Sequence, residues 1–338
     1  MRVLATVAGL LLMVVVAAGT IWWFFIASFG ERQLSAFLDR STEQGWRITI
    51  AEQERSGFPF AVRLRLRGVS VVHQAREGLL EADIPEILVE ADALRPRNML
   101  YTLEQAHAWR WTPAGEDGVR SYQVGRAGGV LAPREEASGW LATATLSQVA
   151  WDTGTGQAGR GSADSIALDV RLPLDFQSAD FAAEAVGVVL PTDTVFGRQI
   201  DNAILDGVIA PLPRDAAPAA LIAWQRAGGQ LTVTRSKIEF GALQASVYGD
   251  LAFDGDMRPF GAMRLRMIDP QAILTIATTE GWVKHEQLGY AQIGMGLFSR
   301  PNAQGENELS TRLDMRNGGL WIGPIRLVSL PRVVPEQQ

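Results

Sequence analysis

"RSGFPFAVRLRLRGVSV" occupies Arg55 to Val71, and its middle alternates strictly: Val62, Leu64 and Leu66 against Arg63, Arg65 and Arg67, closed by Gly68. Successive side chains of a strand point to opposite faces, so this pattern is a strand with one dry and one wet side. The same period of two recurs outward from it. Trp46, Ile48 and Ile50 alternate with Arg47 and Thr49, and Ile166, Leu168 and Val170 with Ala167, Asp169 and Arg171. Between 231 and 253, Leu231 and Val233, Ile238 and Phe240, Leu243, Ala245 and Val247, then Leu251 and Phe253 form three or four short strands. Met263, Leu265 and Met267 stand against Arg264 and Arg266. Near the end, "ELSTRLDM" and "LWIGPIRL" flank Asn317-Gly318-Gly319, a strong hairpin signal.

Helices interrupt this meander. "ERQLSAFLDRSTEQG" reads as a short helix with Leu34, Phe37 and Leu38 on one face and Gly45 as its stop. Pro218 to Ala227 is a second, stopped by Gly228. Asp269-Pro270 opens a third over 270–280, with aspartate as cap and proline in the first turn. "PAGEDG", "DTGTGQAGRGS" and "PNAQGENE" are turn-rich loops.

The N-terminus has a different character. Residues 3–30 carry no charge, a run longer than the ~20 residues that cross a bilayer core. Trp22, Trp23, Phe24 and Phe25 resemble an interfacial aromatic belt. A cleaved signal peptide, cut near Ala18 or Gly19, is the competing reading. The cations on either side set almost no orientation bias. A signal-anchor so early, ahead of a large β-rich body, exports that body. The expected fold is therefore mainly β (α+β): an N-terminal transmembrane helix, then a large, curved antiparallel β-sheet body with a few packing helices. The expected divisions are an anchor at 1–30, a short helix at 31–45 and a body at 46–338, with sub-boundaries suggested near 130–140 or 211–218.

Composition narrows the function classes. The chain's 338 residues, 47% hydrophobic and 20% charged, suit one large or two ordinary domains with real cores, neither disordered nor wholly embedded in a membrane. A net charge of −6 without a basic tract argues against nucleic acid. Zero cysteines remove disulfides, thiolate catalysis and Cys-ligated zinc. His73, His107 and His285 are far apart and lack metalloprotease spacing. There is no nucleophile elbow, phosphate-cradling loop or dinucleotide fingerprint. Asp254 and Asp256 lack the further ligands of a calcium loop, so a turn between strands is the expectation. The reading is no enzyme, with no catalytic residues, metal or cofactor.

Gly57 permits an unusual turn and Pro59 interrupts ladder bonding, so "SGFPF" is an edge or a bend into the strand. Phe58 and Phe60 then either cap the end of a core or line the mouth of a groove. Arg63, Arg65 and Arg67 form either a solvent-facing row that shields the sheet or a cationic strip for phosphate headgroups.

The anchor, the short helix, "GW" at 45–46, "SGFPF" at 56–60, "ALRPRNMLYTLEQAHAW" at 93–109, "GGQLTVTRSKIEFGALQASVYGDLAFDGDMRPFGAMRLRMID" at 228–269 and "NGGLWIGPIRLVSLPRV" at 317–333 resemble the bacterial family called domain of unknown function 2125. The C-terminal phrases resemble, more distantly, the AsmA-like envelope proteins. That second resemblance implies a long curved sheet with an apolar inner face, in the periplasm and concerned with lipid. The resemblances bring no catalytic residues with them.

The functional expectation is a single-pass protein of the bacterial inner membrane, held through residues 3–30, with its bulk in the periplasm. Its body binds or helps transfer an apolar ligand such as phospholipid or another envelope lipid. The residues expected on the ligand face are Phe58, Phe60, Leu64, Leu66, Phe240, Leu243 and Phe253, with headgroup contacts from Arg63, Arg65 and Arg67. The alternative is an envelope scaffold or assembly factor that closes its own core and binds an envelope protein.

Overall fold

The computed structural model describes residues 34–43, 45–75, 78–115, 118–134, 139–154, 159–213, 218–271, 274–275, 299–302, 304–323 and 325–333, with the single positions 20, 23, 28, 32, 289 and 296. The chain is mainly β, one large antiparallel sheet of seventeen strands. It divides into two compact units: Met1–Glu135 with Leu141–Arg160, and Glu136–Trp140 with Gly161–Gln338.

In the first unit, β1 (Trp46–Ser56), β2 (Ala61–Ala75) and β3 (Gly78–Asp92) form an antiparallel meander. β4 (Met99–Leu103) and β5 (His107–Pro113) then lie end to end as one interrupted strand. Both pair with β3 on one side and with β6 (Arg120–Pro133) on the other. The register shifts by one residue between them, from Met99↔Ala91 to Ala108↔Asp83, so the 104–106 break acts as a bulge. His107 is buried beside this break, with Nδ1 3.2 Å from the Gln105 carbonyl. His73 stacks on Trp46 at 4.1 Å, and His285 lies outside the described residues.

Gly68 is the pivot of the opening stretch. Its φ of +59° favours a residue without a Cβ, and an added one would lie 2.9 Å from Ala51 Cβ. Before it Leu64 and Leu66 face the core; after it Val69 and Val71 do, shifting the inward parity by one. The core of this unit gathers Leu66, Val69, Val71, Ala82, Ile84 and Leu103, with Leu34 of helix α1 (34–43) packed against it. Within α1, Leu34 and Leu38 are half-buried and Ser41 is buried, whereas Phe37 is exposed. The expected Leu34–Phe37–Leu38 face is thus corrected. The inward stripe follows the i, i+4, i+7 positions, and Phe37 falls outside it.

Phe58 and Phe60 do not cap a core. The last ladder pair of β1 and β2 is Ser56↔Arg63, and Gly57 (φ +99°) turns the chain with Ala61 N–H donating to its carbonyl. Both rings are exposed.

β7 (Gly139–Asp152) follows β6 in the chain. In the second unit, β8 (Arg160–Pro173), β9 (Ala179–Thr194), β10 (Gly197–Ala210), β11 (Gln230–Phe240), β12 (Leu243–Phe253) and β13 (Pro259–Ile268) continue as neighbours in chain order. β15 (Asn307–Arg316) pairs with β13 on one side. On the other side it pairs with β14 (Ser299–Pro301) and β16 (Gly319–Ile322), and β16 pairs with β17 (Ile325–Ser329). The β15–β16 turn holds Asn317 at φ 51° and Gly318 at φ 62°, the two positive values of a two-residue hairpin loop. The Asp254–Arg258 segment is a strand-to-strand turn: Asp254 Oδ1 accepts the Asp256 and Arg258 amides, each at 2.9 Å.

Among the described residues no helix is long and apolar enough to cross a membrane. The charge-free run 3–30 lies outside them except for Thr20, Trp23 and Ser28. The third expected helix is seen only at 270–271 and 274–275.

Candidate functional site

Registers across the second unit assemble a continuous apolar face. Ile209, Leu231 and Leu251 follow one another across β10, β11 and β12. Val233 leads through Gly249 to Met263 and Leu313. Val247 meets Leu265, while Ile238, Ala245, Met267 and Leu309 form a further row. Phe240 and Leu243 pair at the β11–β12 turn. Residues directly opposite across a ladder share a face, so these rows are one surface.

The reverse face is polar. Arg235 pairs with Asp206 at 2.7 Å, and Thr232 donates to Asp250 at 2.8 Å. Arg264 and Arg266 lie over the Tyr248 ring, 5.8 and 5.4 Å from its centroid. Arg312 pairs with Asp314 at 2.7 Å. In a sheet with one covered face, the apolar positions become inaccessible and the polar ones stay wet. Here only Val233 and Phe240 of these apolar rows are buried; the others are half-buried, as are Thr232, Ser246 and Tyr248 behind them.

A bulge punctuates the apolar surface. Between Val233 and Ile238 the β11 register slips by one. There the Ser236 hydroxyl donates to the Val247 carbonyl and accepts its amide, both at 2.7 Å, so the side chain replaces a missing ladder pair. At one end of the surface, Trp224 of α2 (Pro218–Arg226) packs its ring against Phe253 with centroids 5.9 Å apart.

The structure thus brings Phe240, Leu243 and Phe253 onto one face, the first two together and Phe253 at the far end of β12. Phe240 is buried against Phe196, with centroids 5.7 Å apart; Leu243 and Phe253 are half-buried. Leu64 and Leu66 belong to the core of the first unit, and Phe58 and Phe60 to its exposed hairpin loop.

Arg63, Arg65 and Arg67 are engaged by carboxylates from both neighbouring strands. Arg63 meets Glu90 at 2.6 Å; Arg65 meets Glu54 and Glu86, each at 3.4 Å. Arg67 meets Glu52 at 3.1 Å, Glu86 at 3.3 Å and Glu54 at 3.6 Å. Hydrogen bonds to Glu90 for Arg63, and to Glu52 and then Glu86 for Arg67, hold both guanidinium pKa values above the ordinary one. Three arginines among four glutamates give this lattice a net charge of −1. It does not present a cationic strip, and its geometry is that of the solvent-facing row. Sequence reading missed the four acids. Glu52 and Glu54 stand two apart in β1, and Glu86 and Glu90 four apart in β3, the same-face spacing that marks a complementary row.

Among the described residues no three metal-ligating side chains converge. The family model described as "Uncharacterized protein conserved in bacteria (DUF2125)" matches residues 23–331, and the chain belongs to that family. No curated protein and no solved structure matches it.

Proposed function

We propose that this is a membrane-anchored, periplasmic β-sheet protein that holds the apolar part of an envelope lipid against the β10–β13 and β15 face. The observation that carries the reading is the half-exposed state of the rows through Leu231, Val247, Leu265 and Ile238, set behind a face of ion pairs. The part of these aliphatic side chains left in water is costly, at roughly 25 cal/mol for each Å². An acyl chain laid along the rows removes that cost without requiring a polar partner. Sites for small apolar molecules are lined in this way.

The uncharged run 3–30 supports attachment to the inner membrane and export of the body. The sequence carries no nucleophile elbow, metalloprotease histidine spacing, phosphate-cradling loop or dinucleotide fingerprint, and the proposed role is binding or transfer.

The test is native mass spectrometry of the full chain taken from its membrane, with lipid extraction and identification. Co-purifying phospholipid, lost in Val247→Asp and in Leu265→Asp but retained in Ser246→Asp on the opposite face, is the expected result. A lipid-free chain that unfolds cooperatively would overturn it and favour a scaffold that meets a protein partner.

A further inference from the structure

The first unit has an apolar end that its own core does not use. Phe60 and Leu94 are each 83% exposed and Phe58 is 52% exposed. They sit together, because the Ala93 amide donates to the Phe60 carbonyl at 3.0 Å and Ala61 pairs with Asp92. These side chains are held outward by built turns. Asp92 Oδ1 accepts the amides of Leu94 at 2.7 Å and Arg95 at 3.3 Å, and the Phe58 ring stands edge-on to Trp23, centroids 5.5 Å apart.

Trp23 says which way the chain leaves. Its indole is buried at this end with Ala93 and Val62, and Nε1 donates to the Ala61 carbonyl at 2.6 Å. Gly45, by contrast, lies beside His73 at the other end of β1 and β2. Between Trp23 and Gly45 the chain therefore passes from the hairpin tip to the opposite end. Residues 3–22, twenty positions without a charge, precede Trp23 in the chain, and ~20 apolar residues suffice to cross a bilayer core.

The charges at this end fit a lipid surface. Arg55 lies over the Trp23 ring at 5.5 Å, and Arg95 and Arg97 are exposed in the β3–β4 turn. The neighbouring carboxylates are already engaged: Asp92 by backbone amides, Glu90 by Arg63 and Glu54 by Arg65. What faces outward is apolar side chains rimmed by guanidinium groups, the pairing that suits acyl chains beneath anionic headgroups.

We infer that the β1–β2 hairpin tip and the β3–β4 turn seat in the interfacial layer of the membrane, with Phe58, Phe60 and Leu94 dipping below the headgroups. The inference rests on the reading of the uncharged run 3–30 as an anchor, with the spanning part confined to 3–22 because Trp23 is buried in the first unit. The first unit is then fixed at two points, the anchor and the tip.

The chain has no cysteine, so single-cysteine variants carry one label each. Full-length Phe60→Cys, Leu94→Cys, Gln74→Cys and Ala8→Cys are labelled with an environment-sensitive dye and reconstituted into phosphatidylcholine–phosphatidylglycerol vesicles. Quenching by lipids carrying a spin label near the headgroup is then measured. Gln74 is exposed at the far end of β2, about 45 Å from Phe60 along the strand. The inference expects several-fold stronger quenching at 60 and 94 than at 74. Quenching at 8 with none above the Gln74 level at 60 and 94 overturns the seat while leaving the anchor standing; a tip reserved for a protein gives that result. No quenching at 8 overturns the anchor, and the seat with it.

Discussion

The indole of Trp23 donates to the carbonyl of Ala61 at 2.6 Å, tying the charge-free run to the first residue of β2. Trp23→Ala removes a buried ring as well as the bond, and the expected loss is about 3 kcal/mol of unfolding free energy. Trp23→Phe keeps most of the ring and loses the bond, for about 1 kcal/mol. Denaturant titration of the full chain in detergent, followed by far-UV circular dichroism, separates the two.

Tyr101 lies across Gly129 in the ladder and donates its phenol to the Thr143 carbonyl at 2.8 Å. Tyr101→Phe is expected to cost about 1 kcal/mol. Gly129→Ala is expected to cost more, because its Cβ has only the Thr143 carbonyl and the phenol to occupy. Desolvation raises the Tyr101 pKa. Its contribution is thus complete below the unfolded tyrosine pKa and lost as pH rises through the folded one. Thermal melts in alkaline buffer should show a limb that Tyr101→Phe flattens.

Arg67→Glu takes the lattice of β1, β2 and β3 from three cations and four anions to two and five, a net −3. Its melting temperature should fall. Adding Glu86→Arg should restore part of the loss, since Arg67 and Glu86 face each other across the ladder at 3.3 Å. Because these groups stand in water, added salt should narrow the gap between the single variant and the wild type. A melting temperature indifferent to the exchange would show that the lattice contributes nothing to stability.

Asp152 titrates at the acid end. The Arg160 guanidinium at 2.8 Å, and then the Gly154 amide at 2.9 Å, hold its carboxyl below the ordinary carboxylate pKa. A lowered folded pKa adds stability above the unfolded value, lost as pH falls through the folded one. The group lies at the surface and is screened by water, so the effect is small, and Asp152→Asn should abolish it. Unfolding midpoints compared between neutral and strongly acidic buffer provide the check.

Local chemistry made parts of this fold legible in the sequence. The Asn317-Gly318 turn is specified by two residues that tolerate positive φ, and Gly45 stops a helix for the same reason. The alternation from Val62 to Arg67 was readable because its period is the pleat itself. Phe60 appeared to extend it, but a residue beyond the last ladder pair has no face to share. The change of inward parity at Gly68 was written in the row Leu64, Leu66, Val69, Val71, although only the register shows that the sheet continues through it.

The candidate site was less legible because its definition is non-local. Leu231, Leu251 and Leu313 are identical in kind to core leucines; the registers of four strands decide that they share one half-exposed surface. The carboxylates of Glu86 and Glu90 lie nineteen and twenty-seven residues from their arginines. Trp23 looked like one more aromatic of an apolar run until its nitrogen found a carbonyl 38 residues away.

The order of pairing also bears on how the molecule comes into being. Each strand pairing described for either unit joins strands adjacent or next-but-one in the chain, from β1 with β2 to β16 with β17. None of these strands waits for a partner made much later. Short-range pairing lowers the entropy spent on closing loops and favours rapid folding. A nascent chain delivered N-terminus first can lay down its ladder at the pace of its synthesis, each new strand covering the unpaired edge left by the one before it.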